Sequence, residues 1–301
     1  MKTLNKVFYL FNNYNFMELL NHPDINDLIE IAIREDVGDG DHSSLACIPK
    51  EQQGHAYCIA KEEGIIAGID LARKIFHRID PSLVYEAHLK DGDPIQVGTR
   101  VFDVKGSDIS ILTAERLVLN FMQRLSGIAS QSKKISLILK DYKTTILDTR
   151  KTTPGMRLLE KWAVKTGGCS NHRMGLYDMV MLKDNHIDFA GGIEQAINKT
   201  KEYLQNKGLN LDIEIETRSL DEVQQVLNCG GVKRIMLDNF SPELLKEAIK
   251  LINGKYETEA SGGITLSTIE KYAESGVDFI SVGALTHSSK SIDLSMRVMQ
   301  K

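Results

Sequence analysis

A chain of 301 residues with 42% hydrophobic and 26% charged content is long enough for one β/α barrel of roughly 200 residues plus a small second domain. A net charge of −4 and a pI near 6.1 argue against nucleic acid or an anionic membrane as the main partner, because both demand a broad basic surface. No run approaches the roughly 18 consecutive apolar residues of a membrane helix.

The opening apolar stretch Val7 to Phe11 is followed by Asn12-Asn13 rather than a small-residue cleavage site. Residues 1–16 therefore read as an N-terminal extension, with Met17 as an alternative start. Met17 to Arg34 shows apolar residues at helical spacing, broken early by Pro23, and ends in the acidic, Gly-punctuated loop Glu35 to Asp41. Strand-like pieces follow at Ala56 to Ala60, Gly64 to Gly68, Val84 to Leu89 and Pro94 to Val104, which together suggest a small antiparallel sheet with helices. Ile111 to Leu125 reads as an amphipathic helix with Thr113 as its N-cap, and Gly127 marks the passage out of this first domain. The four cysteines, Cys47, Cys58, Cys169 and Cys229, have no metal-ligand spacing and suit the reduced thiols of a cytoplasmic protein.

From Thr145 onward one unit recurs: a short apolar run, a polar or Gly stop, then a helix. The runs Thr145 to Leu147, Met179 to Leu182, Ile213 to Ile215 and Ile235 to Leu237 stop at Asp148 to Lys151, Lys183-Asp184, Glu216 and Asp238. Two more, Glu257 to Ala260 and Phe279 to Val282, end in Ser261-Gly262-Gly263 and Gly283-Ala284. In parallel α/β folds, ligands gather at the carboxyl ends of strands, so these stops mark a candidate active site. The reading divides the chain into an α/β domain over 17–128, a β/α barrel over 129–285, and a tail, 286–301, that returns to the first domain.

The stops carry distinct chemistry. Arg150 and Lys151 bring a planar fork and a point charge for anions, and His172-Arg173 lies between glycine-containing turns. Lys183 ends a strand where an unpaired ammonium is rarely tolerated. Glu216 and Asp238 end consecutive strands and suit Mg²⁺, or else pair with Lys151 and Lys183; Glu214 shares the face of Glu216 by strand period and is the second candidate. Ser261, Gly262, Gly263 and Gly283 follow the last strands, the usual site of a phosphate cradle in such barrels. A polyanionic substrate with a metal is the expected ligand.

Taken in order, Asp148 to Gly155, Asn171 to Leu176, Leu182 to His186, Leu237 to Phe240, the Glu115-Arg116 pair and the loop Glu35 to Asp41 resemble the quinolinate phosphoribosyltransferase family from about Met17 to near the end. The resemblance implies an N-terminal α/β sandwich and an incomplete, TIM-like barrel. It also implies a homodimer, or a higher oligomer built on it, in which one subunit's sandwich caps the other's barrel. The substrates would be quinolinate and phosphoribosyl diphosphate, with Mg²⁺ and no organic cofactor. Arg116, Arg150, Lys151, His172 and Arg173 would bind quinolinate; Lys183, Glu216 and Asp238 would serve phosphoribosyl diphosphate and Mg²⁺, with Lys151 also catalytic; Ser261 to Gly263 and Gly283 would hold the 5′-phosphate. Two other readings stay open. Lys183 could form a Schiff base in a lyase or aldolase, or the barrel could bind anions without catalysis.

Overall fold

The structure, a computed structural model, describes residues 16–299, so the extension expected before Met17 lies outside the described residues except for Phe16. The chain divides into two compact units: residues up to Lys134 with Thr152–Gly168 and Leu285 onward, and Ile135–Lys151 with Cys169–Ala284. These limits depart from the sequence-based boundary at 128. The helix expected to end at Leu125 runs unbroken over Asp108–Ile138. Thr113 lies within it, donating to the carbonyl of Ile109 at 2.8 Å, and is not its cap. Gly127 is also interior to this helix. A Cβ there would meet the carbonyl oxygen of Lys290 at 2.1 Å, so close chain approach requires glycine.

In the first unit, four antiparallel strands lie in the order β12-β1-β5-β3: β1 (Gln53–Ala60), β3 (Val84–Ala87), β5 (Arg100–Ser107) and β12 (Leu294–Val298). The C-terminal segment thus pairs with β1, with Cys58 opposite Met296. The piece read as one strand from Pro94 to Val104 is two, β4 (Pro94–Ile95) paired with β2 (Gly64–Ile65), and then β5. Gly98, at φ +88°, supplies the left-handed turn between β4 and β5. Helix Ile69–Ile79 buries Ile69, Leu71, Ala72, Ile75 and Phe76, one apolar face at helical spacing. Phe76 meets Phe102 edge-on at 5.7 Å between ring centroids, and Tyr85 lies 4.9 Å from Phe102, giving this unit an aromatic core.

The second unit is a sheet of six parallel strands, ordered β6-β11-β10-β9-β8-β7. They are β6 (Thr145–Leu147), β7 (Val180–Leu182), β8 (Ile213–Thr217), β9 (Arg234–Asp238), β10 (Glu257–Ser261) and β11 (Phe279–Ser281). Between β6 and β7 the ladder is open, and Ser170 stands there instead, its N–H donating to Ile146 and its carbonyl accepting from Asp148. This is an incomplete barrel with fewer than eight strands. Its outer helices start where the sequence caps them: Ser219 accepts from the N–H of Glu222 before Leu220–Cys229, and Ser241 from that of Leu244 before Pro242–Ile252.

Candidate active site

Alternation along the strands stacks the barrel's interior in layers. Glu214 is level with Arg234 and Met181, Glu216 and Glu259 with Met236, and Ser261 with Asp238. Side chains two apart share a face, so Arg234, Met236 and Asp238 of β9 rise through the interior from the amino to the carboxyl ends. All five residues of β8 are buried, including Glu214 and Glu216.

At depth the charges are closely paired. Arg234 reaches Glu259 at 2.7 Å and Glu257 at 3.1 Å, and its guanidinium stacks over the Phe279 ring at 3.8 Å. His172 Nε2 lies 3.0 Å from Glu214 and 3.5 Å from Glu259, both carboxylates fully buried. Burial and the charge of Glu259 push the Glu214 carboxyl above its ordinary range, whereas the contacts of Glu259 with His172 and Arg234 outweigh burial and hold it low. Burial favours neutral His172, and the two carboxylates drive it the other way, to about 9. The backbone N–H of Arg173 opposes that second proton, because it donates to His172 Nδ1 at 2.7 Å and occupies the lone pair. We therefore assign the neutral ring with its proton on Nε2. The ligand atoms of His172, Glu214 and Glu259 lie within 4.8 Å of one another.

The loop after Ser170 is folded by two buried aspartates. Asp148 accepts from the N–H of His172 at 2.8 Å and from Asn171 at 2.6 Å; Asp178 accepts from the N–H groups of Met174 and Gly175. Arg173 is held by its backbone and by Nη1, which donates to the carbonyl of Met179 at 2.9 Å. Burial and the neighbouring Arg150 make its charge costly, a cost that a bound anion would relieve.

At the carboxyl end, Lys183 pairs with Glu216 at 3.0 Å. Burial, then the charge of Glu216, pushes the carboxyl of Asp238 up. Two adjacent carboxylates so placed suit a cation. Above them, Gly262 at φ +96° packs so tightly that a Cβ would come within 2.2 Å of Asn239 Oδ1, and the N–H of Asn239 donates to Ser261. The turns after β9 and β10 are interlocked, which fixes the backbone beside Ser261 and Gly263.

Six expected residues, Arg150, Lys151, His172, Arg173, Lys183 and Ser261, line one cavity of about 180 Å³. Glu216 and Asp238 end adjoining strands, and Gly283 follows β11. Arg116 belongs to the first unit, where it is exposed. Ser281, at the start of the last Gly turn, lines the cavity too; Glu259, which also lines it, was not anticipated, nor was Arg234 beneath it. A signal existed: Glu257, Glu259 and Ser261 fall on one face by strand period, so the charges lie on the face that carries the stop residue.

Family models for the N-terminal and C-terminal domains of quinolinate phosphoribosyl transferase match residues 41–126 and 128–297. The chain belongs to the quinolinate phosphoribosyltransferase family. Among curated relatives, a chloroplastic nicotinate-nucleotide pyrophosphorylase (carboxylating) of Arabidopsis thaliana is 48% identical, over 92% of this chain and 84% of its own. Quinolinate phosphoribosyltransferase (decarboxylating) 1b of Nicotiana tabacum is 47% identical, with 92% and 83% covered. The crystal structure of NadC from Streptococcus pyogenes is similar at 40% identity and a TM-score of 0.87, over 91% of this chain and 96% of that one. The nicotinate-nucleotide pyrophosphorylase structure from Francisella tularensis matches at 39% and 0.87, over 93% and 99%. For a quinolinate phosphoribosyltransferase, cations above a carboxylate-lined barrel end are the chemistry that a dicarboxylate and a diphosphate require. Among the described residues, no helix is long and apolar enough to cross a membrane.

Proposed function

We propose that this chain transfers phosphoribose from phosphoribosyl diphosphate to quinolinate and releases CO₂, giving nicotinate mononucleotide and diphosphate for NAD synthesis. The observation that carries the reading is the cavity in which Arg150, Lys151, Arg173 and Lys183 converge at the carboxyl ends of the strands. Arg150, Lys151 and Arg173 neutralise the two carboxylates and hold the ring nitrogen toward C1 of the ribose. The C1–N bond forms as the C1–O bond to diphosphate breaks, and Lys183, Glu216 and Asp238 face the charge that develops there. The bond from C2 to its carboxylate then breaks. Its electron pair stays in the ring plane on C2 as an ylide stabilised by the adjacent cationic nitrogen made in the first step, CO₂ leaves, and C2 takes up a proton, so no organic cofactor is needed.

Glu216 and Asp238 would hold Mg²⁺, which when bound supplies positive charge to the diphosphate. The raised Asp238 carboxyl beside Glu216 supports that fit. Ser261, Gly262, Gly263 and Gly283 would receive the 5′-phosphate through backbone N–H groups. A cavity of about 180 Å³ is small against the roughly 300–1,000 Å³ usual for ligand pockets, which supports a site completed by a second copy through its exposed Arg116. A cytoplasmic location is part of the same reading. It rests on the wide spacing of the four cysteines along the sequence, while plant relatives are named chloroplastic or mitochondrial; fractionation of cells tests it.

Incubation with quinolinate, phosphoribosyl diphosphate and Mg²⁺ should yield nicotinate mononucleotide and an equal amount of CO₂, and chelation should abolish both. Absence of product with the metal present would overturn the reading. Mixing inactive Arg116→Ala and Lys151→Ala subunits should restore activity; no rescue would refute the shared site.

A further inference from the structure

We infer that His172 is a positioning residue, anchoring the main chain of Arg173 to the buried carboxylates Glu214 and Glu259 rather than touching the substrate. The inference rests on the reading of this cavity as the quinolinate pocket and changes the role that the motif resemblance gives to one of its members.

Both ring nitrogens face groups of the protein. Nδ1 accepts the N–H of Arg173 at 2.7 Å, while Nε2 points into the barrel, 3.0 Å from Glu214 and 3.5 Å from Glu259. The backbone N–H of His172 is engaged as well, by Asp148 at 2.8 Å. Only 5% of the side chain is exposed, although its ring forms part of the cavity wall. A nitrogen turned to a substrate carboxylate would have to leave its present surroundings, either stranding the backbone N–H of Arg173 or withdrawing Nε2 from beside two buried carboxylates. Arg173 is the group so held. Its main chain is fixed by the imidazole and its Nη1 by the Met179 carbonyl, and its guanidinium lines the cavity. Glu259 is in turn fixed by Arg234, 2.7 Å away. The chain Arg234, Glu259, His172, Arg173 thus connects the depth of the barrel to the anion pocket, where Arg173 brings the positive charge.

Two substitutions separate the ring's halves. In His172→Asn the side-chain oxygen stands where Nδ1 did and can accept the N–H of Arg173; His172→Gln reaches toward the carboxylates and leaves that N–H without its acceptor. The expected result is a quinolinate KM within about threefold of wild type for His172→Asn and raised about tenfold or more for His172→Gln, with the phosphoribosyl diphosphate KM within about twofold in both. Equal impairment, or the reverse order, would overturn the inference. Should His172→Gln not fold, Glu259→Gln takes its place: a raised quinolinate KM supports the connection, and an unchanged one refutes it.

Nitrogen-15 spectra of the histidine-labelled wild type, with His172→Asn identifying the signal, provide a readout independent of turnover. The free protein should show Nε2 protonated and Nδ1 not, and saturation with quinolinate should leave both in place. A protonated Nδ1, or a large Nε2 shift on binding, would contradict the inference. Wild-type product formation decides the substrate reading, and the tautomer of the free protein decides this one, so the two can fail separately.

Discussion

The depth of the barrel and its carboxyl end are built from the same residue types and use them in opposite ways. At depth, Arg234 is bracketed by Glu257 and Glu259 and stacked on Phe279. At the carboxyl end, Asp238 sits beside Glu216 with its carboxyl pushed up, and Arg173 beside Arg150 with its charge disfavoured. Satisfied charges hold a fold together; like charges brought close make a place where a ligand of opposite sign is wanted. The comparison therefore separates residues whose loss costs stability from residues whose loss costs activity.

Arg234→Met is the hardest test of that separation. It leaves two carboxylates without their guanidinium and should lower stability by about 3–5 kcal/mol, read by urea unfolding. A loss below about 1 kcal/mol would erase the distinction. Arg173→Ala or Lys151→Ala should do the converse, reducing turnover at least about a hundredfold, near 2.7 kcal/mol of transition-state stabilisation, with the unfolding midpoint little changed. Near-normal kinetics in either variant would remove these residues from the site.

Asp103 in the first unit sharpens the same point away from the barrel. Burial pushes its carboxyl up, but hydrogen bonds from Arg100, His88 and His55 outweigh burial and hold it well below the carboxylate range. Because the folded pKa is depressed, the stabilisation is present above the unfolded value near 4 and is lost as pH falls through it toward the folded value. Asp103→Asn should therefore flatten the fall in stability below about pH 4, measured by unfolding at stepped pH; an unchanged slope would show that the cluster contributes nothing. Smallest of all is Lys183→Met. Nearly half of the Lys183 side chain is exposed, so its pair with Glu216 should contribute under about 1 kcal/mol to stability.

Much of the carboxyl end was legible in the sequence, because a charge that stops an apolar run can be seen without coordinates. Arg150, Lys183, Glu216 and Asp238 declared themselves in that way, and the Gly turns followed the last strands. The depth was not legible. Arg234 reads as an ordinary strand start, and Glu259 sits inside a run taken as one buried strand, so their pairing appears only when β9 and β10 are in register. Gly127 is a related case: its requirement is the approach of Lys290, 163 positions away in the chain, which local sequence does not show. The motif order supplied a role for His172, whereas the direction of its two nitrogens depends on Glu214 and Glu259, which belong to different strands.

The most direct test of the account compares quinolinate with nicotinate, which lacks the C2 carboxylate, as the acceptor of phosphoribose in the same assay. If the cations of the carboxyl end are there to meet two carboxylates, kcat/KM for quinolinate should exceed that for nicotinate at least about a hundredfold, because the missing group leaves Arg150, Lys151 and Arg173 without one of their anions. Comparable turnover of the two acids would contradict it.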